Sequence, residues 1–467
     1  MLLKRALLRL GAFGLLAVAA ATAAAAACCP QLPASVETAA LKHARRRLNA
    51  TLAAFPPGGS KFPVQTVPSG AGAGQWQAGD ATGWNAGFLA GSCWRMHELT
   101  GTGAWRTAAQ AMLPVLEPNK RRNSTHDIGF ILMPSTGLAL AAAAPGSAEA
   151  RRLQGVLVEA AASLAARYEP RVGCVRSHGA IGGERVEVWL PCPALSCPEL
   201  PLAQHLLSCA RARIPPLCPC PRAHTLHNKN TAPHPPQVII DNLMNLQLLF
   251  TAAGLPGGNA TWQRLAEAHA ARTAREHVRP DGTTVQLVAF SASTGAVLAR
   301  ETRQGLSANS TWSRGQAWAV AGFAGAAAAT PAASTNRALF LATAQRAADA
   351  YLAHLPADRV PPWDFLAPPG KAWKDSSAAA IAAGGLLQLA ELLPRSSTAA
   401  KRYRQAAIDT LQQLSTAYLS SRSPAPRPAS ILANGTANGQ RGNFGSGLAV
   451  GDFYFLDVLA RLRRTRC

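Results

Sequence analysis

Acidic residues are scarce in this chain of 467 residues: 24 Asp and Glu stand against 46 Lys and Arg, a formal net charge of +22. Charged residues of both signs make up only 15% and hydrophobic ones 48%, which excludes a largely disordered chain. Aromatics are few, at 6%, with five Tyr, yet 10 residues are Trp. In an Ala-rich background those Trp look placed rather than incidental. No collagen period and no sustained coiled-coil heptad occurs, which excludes fibrous architectures. After the N-terminal run there is no uncharged apolar stretch of membrane-spanning length, so stable membrane insertion is not expected once that run is removed. The cationic excess favours an anionic partner: nucleic acid, acidic polysaccharide or an anionic membrane. The basic residues are scattered with no nucleic-acid-binding module among them, so nucleic acid is not expected.

Lys4, Arg5 and Arg9 precede Leu and Ala residues from Leu10 to about Ala27. A basic start, an apolar centre and a small-residue end describe a secretory signal over 1–27, with a retained anchor as its rival. The remaining chain is expected in a secreted or lysosome-like compartment. Five Asn-x-Ser/Thr acceptors, at Asn49, Asn123, Asn259, Asn309 and Asn434, agree with a glycoprotein.

Helical periodicity dominates the rest of the chain. The pattern predicts twelve helices, at 34–54, 84–100, 103–117, 128–143, 148–168, 238–254, 259–278, 313–329, 335–354, 376–393, 398–420 and 449–464. One short β-hairpin is expected at 283–289 and 296–302, around Ser293-Thr294-Gly295. The helices alternate in character. Those beginning at 84, 128, 238, 313, 376 and 449 are rich in Gly and Ala and nearly uncharged. Those beginning at 34, 148, 259, 335 and 398 carry Arg, Lys and Glu on one face. Uncharged helices are buried all round, and amphipathic ones keep a solvent face. Six inner and six outer helices in alternation predict an all-α (α/α)6 toroid, a single domain over 28–467. An irregular insertion rich in Pro and Cys interrupts it at 179–236. Cys192, Cys197, Cys209, Cys218 and Cys220 lie in that insertion, and three readings stay open. It is a disulfide-stapled surface loop, a metal-binding insert, or a segment foreign to the native protein such as translated intron.

The candidate chemistry sits where the inner helices begin. Trp84-Asn85, His126-Asp127, Asp241-Asn242, Trp312-Ser313-Arg314-Gly315-Gln316-Ala317-Trp318, Trp363-Asp364-Phe365 with Asp375-Ser376-Ser377, and Gly451-Asp452 open the six in turn. In a toroid the inner helices run parallel, so these starts converge on one end. Trp faces stack on sugar rings and carboxylates do acid–base work on glycosides. Arg314 and the positive helix ends would draw in an anionic substrate. The ordinary reading of an Asp at a helix start is an N-cap, which Asp364 and Asp375 keep. A helix start also lowers a carboxylate's pKa, whereas a general acid needs it raised. Asp241 meets that need if Asp127 lies close enough to repel its charge.

The segments Asp241–Leu246, Arg314–Trp318, Trp363–Phe365 and Asp375–Ala380 together resemble glycoside hydrolase family 88, the unsaturated glucuronyl hydrolases. His126–Phe130 and Arg279–Thr283 are similar to further motifs of that family. The resemblance covers about 34–178 and 237–464 in order. It implies an (α/α)6 barrel and a substrate left by a polysaccharide lyase, an oligosaccharide with a 4,5-unsaturated uronic acid at its non-reducing end. It implies hydration of the vinyl ether rather than attack at the anomeric carbon. By this resemblance Asp241 is the general acid and base, and Asp127 the second essential carboxylate. Trp84, Trp312 and Trp318 would shape the sugar subsite, and Asn242, Gln304 and Arg314 would contact the uronate. No cofactor and no metal are implied. Gln286 stands where the family usually has a His that contacts the sugar, and Gln cannot titrate. The Gly-rich stretch 434–447 is expected to form one wall of the pocket. Two alternatives remain: the related unsaturated rhamnogalacturonyl hydrolases, and a carbohydrate- or polyanion-binding protein that has lost catalysis.

Overall fold

The computed structural model describes residues 31–178 and 235–465. The expected signal at 1–27 lies outside the described residues, as does the insertion apart from 235 and 236, with its five cysteines. The described cysteines, Cys93 and Cys174, are buried free thiols.

Thirteen α-helices make twelve rods among the described residues. The outer set is α1 (Ala34–Ala54), α3 (Gly103–Leu116), α6 (Ala148–Ala165), α8 (Thr261–Glu276), α10 (Thr335–Ala353) and α12 (Thr398–Thr416). The inner set is α2 (Gly87–Thr100), α4 (Ile128–Leu132) continued by α5 (Leu138–Ala142), α7 (Asn242–Ala253), α9 (Ser313–Ala329), α11 (Ser376–Leu392) and α13 (Ala449–Arg464). Each inner rod packs on the next, from α2 through α4, α7, α9 and α11 to α13, and α13 returns to α2, closing the ring. The outer helices lie against neighbouring inner rods, α10 on α9 and α11, and α12 on α11 and α13. The toroid expected from the alternation of charged and uncharged helices is therefore the fold.

Burial explains that alternation. In α9 every residue from Ser313 to Ala327 is buried. The outer α3 buries only Trp105, Ala109, Met112, Leu113 and Leu116, one stripe at helical spacing. Small residues let the inner rods approach closely. A Cβ on Gly385 of α11 would fall 2.7 Å from the backbone nitrogen of Ala321 in α9, so a side chain there would force the rods apart.

Three expectations need correction. The helix at 128–143 is not continuous, because a π turn at Met133–Gly137 divides it. Pro134 lacks the N–H that a regular ladder requires. Ser135 Oγ donates to the Ile131 carbonyl at 2.6 Å, which partners an acceptor at the break. The single hairpin is instead one of three small antiparallel sheets: β1 (Lys61–Thr66) with β2 (Trp76–Asp80), β3 (Tyr168–Glu169) with β4 (Cys174–Val175), and β5 (Gln237–Ile239) with β6 (Leu287–Phe290) and β7 (Val297–Glu301). The hairpin forms as β6–β7, and β5 pairs along it with Val238 opposite Val288. Residues 237–239, expected within or beside a helix, are that strand. A short apolar run fits either element, and here the edge of β6 decides it.

Candidate active site

A backbone seam sets two of the inner-helix starts side by side. His126 N–H donates to Ser177 O at 2.9 Å, Ser177 N–H to Gln237 O at 2.8 Å, and Ile240 N–H to Gln286 O at 2.9 Å. Ser177 Oγ accepts from Ile239 N–H at 2.8 Å. The segment before α4 is thereby tied through residues 176–178 to the strand that ends at Asp241. One turn into the helices, Asn245 Oδ1 of α7 accepts from Phe130 N–H at 2.7 Å. Gly129 makes that approach possible, since a Cβ there would meet the same Asn245 oxygen at 2.6 Å.

Asp127 and Asp241 occupy the N-cap positions of α4 and α7, yet neither side chain caps its helix. Both carboxylates turn to His126, whose ring is completely buried. Its Nε2 lies 3.1 Å from Asp127 Oδ1 and 3.5 Å from Asp241 Oδ1. Thr125 Oγ1 donates to the other Asp127 oxygen at 2.6 Å. Asp241 Oδ1 has no hydrogen-bond partner among the described residues. Asp127 and Asp241 keep 15% and 19% of their side chains exposed, enough to be reached from the end of the ring.

The two carboxyls are pushed in opposite directions. Burial acts to raise Asp127, but His126, His178 and the Thr125 hydroxyl overcome it and hold Asp127 well below the usual carboxylate range. Burial raises Asp241 to about 6; His126 and Arg314 oppose the rise and the Asp127 charge adds to it. Burial disfavours a charged His126, yet Asp127 and Asp241 raise it above its ordinary value. One carboxylate held ionised beside one whose proton affinity is raised is the environment of an acid–base pair. His126, Asp127 and His178 also bring ligand-type atoms within 4.8 Å of one another. Thr125 Oγ1 binds one oxygen of Asp127, and His126 Nε2 lies against the other.

The other expected residues divide into one with an exposed face, a half-buried one, and those buried among the helix starts. Trp84 is 36% exposed and rests edge-on against Phe88 and Phe130, with centroids 5.7 and 5.6 Å away. Trp318 is 1% exposed and packs on Phe130 and Tyr454, so it supports the floor without a free ring face. Trp312 is buried, and the Arg314 guanidinium lies over its ring at 4.6 Å. Arg314 is also buried. It pairs with Asp375 and donates to Thr436 O at 2.7 Å and Ala437 O at 2.8 Å. That anchors stretch 434–447, which crosses to the 303–305 loop where Asn438 Nδ2 donates to Arg303 O at 3.1 Å. Asn242 is buried, and its amide donates to Val175 O at 2.8 Å.

Gln286 is 5% exposed, and both ends of its amide are hydrogen-bonded. Its oxygen accepts from Thr302 Oγ1 at 2.8 Å, Arg303 N–H at 2.6 Å and Gln304 N–H at 3.0 Å, and its nitrogen donates to Gln304 Oε1 at 2.7 Å. Gln286 thus clamps the turn that presents half-buried Gln304. Asp364 and Asp375 are fully buried. Asp364 accepts from Leu306 N–H, Ser310 Oγ and Leu366 N–H, and Asp375 caps α11.

Two features escaped the sequence. His126 was visible only as a neighbour of Asp127; its contact with Asp241 spans the fold. Trp363, Trp373 and Phe444 form an aromatic stack, with Trp373 and Phe444 parallel at 3.8 Å, and Phe444 comes from the 434–447 stretch. Their separation along the chain gave no signal of it.

Among known proteins, the chain is 30% identical over 382 residues to an unsaturated glucuronyl hydrolase of Formosa agariphila, covering 81% of this chain and 79% of the relative. It is 26% identical to an unsaturated chondroitin disaccharide hydrolase of Streptococcus pyogenes, over 83% of each chain. The crystal structure of the unsaturated glucuronyl hydrolase of Bacillus sp. GL1 superposes with a TM-score of 0.72 at 27% identity, covering 92% of this chain and 97% of that one. A solved unsaturated glucuronyl hydrolase described as specific for heparin gives 0.72 at 25% identity, over 91% and 96% of the two chains. No family model matches the chain.

Proposed function

Because the chain belongs to the unsaturated glucuronyl hydrolases, a family of glycoside hydrolases, we propose that it releases a 4,5-unsaturated uronic acid from the non-reducing end of lyase-generated oligosaccharides by hydrating the vinyl ether. The observation that carries this reading is the split pair: Asp241 raised to about 6 beside an ionised Asp127, with His126 touching both.

The steps are set by the two protonation states. Asp241, as the neutral acid, gives its proton to carbon 4 of the double bond. Positive charge develops at carbon 5 and is shared with the ring oxygen, and ionised Asp127 lies close enough to stabilise it. Asp241, now a carboxylate, takes a proton from the water that adds to carbon 5, which restores its starting state. The resulting hemiketal opens by breaking the bond between carbon 5 and the ring oxygen. Carbon 1 is left as a hemiacetal that expels the rest of the oligosaccharide as an alcohol. The separation of the carboxyls does not set a stereochemical outcome here, because the anomeric carbon is not attacked.

The surrounding residues have graded parts. Trp84 offers its exposed face to the sugar, and Gln304 offers the amide that Gln286 aims. Arg314, Trp312, Asn242 and Trp318 act by holding the helix starts and the 434–447 wall in place. The names of the relatives support the uronide reading over the rhamnogalacturonyl one. The test is loss of the ultraviolet absorbance of the conjugated uronate when purified protein meets lyase-generated disaccharides. Turnover that disappears in Asp241→Asn is the expected result. No loss from folded wild-type protein across chondroitin, hyaluronan, heparin, ulvan and pectin fragments would overturn the proposal in favour of a binding protein.

A further inference from the structure

A cationic pocket is lined by neither of the two carboxylates. Arg46, Arg47 and Ala50 of α1, with Ser421 and Arg427 from the segment between α12 and α13, line a pocket of about 450 Å³. None of the three guanidiniums has an ion pair or hydrogen bond among the described residues, and Arg47 Nε is buried without a partner. The walls are held firmly. His43 Nε2 lies 3.2 Å from Ser420 Oγ and from Ile431 O, pinning the loop to α1. The buried Asp452 carboxylate accepts from Ile431 and Leu432 N–H at 2.8 and 2.9 Å, pinning it to α13. Burial lowers Arg47, and the charges of Arg46 and Arg427 lower it further, with Asp452 opposing them. Like charges gathered around one pocket repel unless an anion joins them.

We propose that this pocket binds a sulfate or carboxylate group of an anionic glycan chain, as a site separate from the one that reacts. Guanidinium forks match the paired oxygens of such groups. The connectivity favours a glycan. The segment that supplies Ser421 and Arg427 runs on into 434–447, which Arg314 anchors, so the backbone joins the pocket to a stretch held by an inner-helix start. The choice of glycan rests on the proposed function, but the test is independent of turnover.

The probe is a heparin-derived octasaccharide without an unsaturated end, which binds but cannot be hydrated. Its affinity is measured by calorimetry for the full chain, for the triple variant Arg46→Ser, Arg47→Ser, Arg427→Ser, and for Arg427→Glu alone on its exposed loop. A control variant carries Arg151→Ser, Arg264→Ser and Arg275→Ser on exposed faces of α6 and α8. The proposal predicts a loss of about tenfold or more in the triple variant and in Arg427→Glu, little change in the control, and unchanged turnover of a disaccharide. Equal losses in pocket and control variants, or no loss, would overturn it. Duplex DNA bound as tightly, and lost in the same variants, would overturn the assignment to a glycan.

Discussion

At the end of the toroid where the inner helices begin, the same residue type at the same helix position is used to opposite effect. Asp375 begins α11 by accepting from Ser377 and Ala378 N–H and pairing with buried Arg314, so its charge is neutralised and its geometry locked. Asp127 and Asp241 begin α4 and α7 without capping them and share one histidine. The difference teaches that an Asp at a helix start becomes free for chemistry when its capping bonds go unmade. Asp375 is satisfied and structural. Asp241 keeps an oxygen without a hydrogen bond, and burial raises its proton affinity.

The largest break in the comparison comes from Asp241→Asn. It should lower kcat/KM by about 10²- to 10⁴-fold, the usual worth of a general acid, read as the rate of absorbance loss. It should also stabilise the protein. At low pH both states carry the proton and the substitution is neutral. Above about pH 6 the folded chain must hold a buried charge that the unfolded chain carries freely, so Asn gains about 1–3 kcal/mol in denaturant unfolding near neutral pH. Asp375→Asn should do the reverse on the other side. It leaves Arg314 buried without a counter-charge and costs about 3–5 kcal/mol of stability, measured by the same unfolding.

His126→Gln sharpens the contrast within the active pair. His126 lowers Asp241, so its removal should move the alkaline limb of the rate profile to higher pH while kcat falls. An unmoved limb would mean that His126 only packs. The smallest effect expected is for Gln286→Ala. Its hydrogen bonds hold the 302–304 turn, so KM should rise several-fold with a stability loss of about 1–3 kcal/mol and no shift of the pH profile.

Much of this was legible in the sequence, for physical reasons. The inner and outer rods could be told apart because a helix buried all round excludes charge, as α9 and α11 do. The Asp and Trp motifs at the inner starts could be placed at one end once the toroid was inferred. What stayed hidden depends on long-range pairing. Residues 237–239 form a strand only because the edge of β6 receives them. Gln286, expected to touch the sugar, instead clamps its own turn, which shows only when residues 302–304 are seen to fold back on it. Asn242 and Arg314 are likewise committed to backbone carbonyls that no spacing reveals. The Arg46, Arg47 and Arg427 pocket joins the two ends of the sequence and leaves no local trace.

The central claim is that Asp241 holds its proton far above the pH at which an ordinary carboxyl loses it. The direct test is the pH dependence of kcat/KM for wild-type protein on an unsaturated disaccharide. Activity should decline as pH rises through about 6, where Asp241 gives up the proton destined for carbon 4. A decline centred near the ordinary carboxylate value of about 4, or a rate still flat well above neutrality, would contradict it.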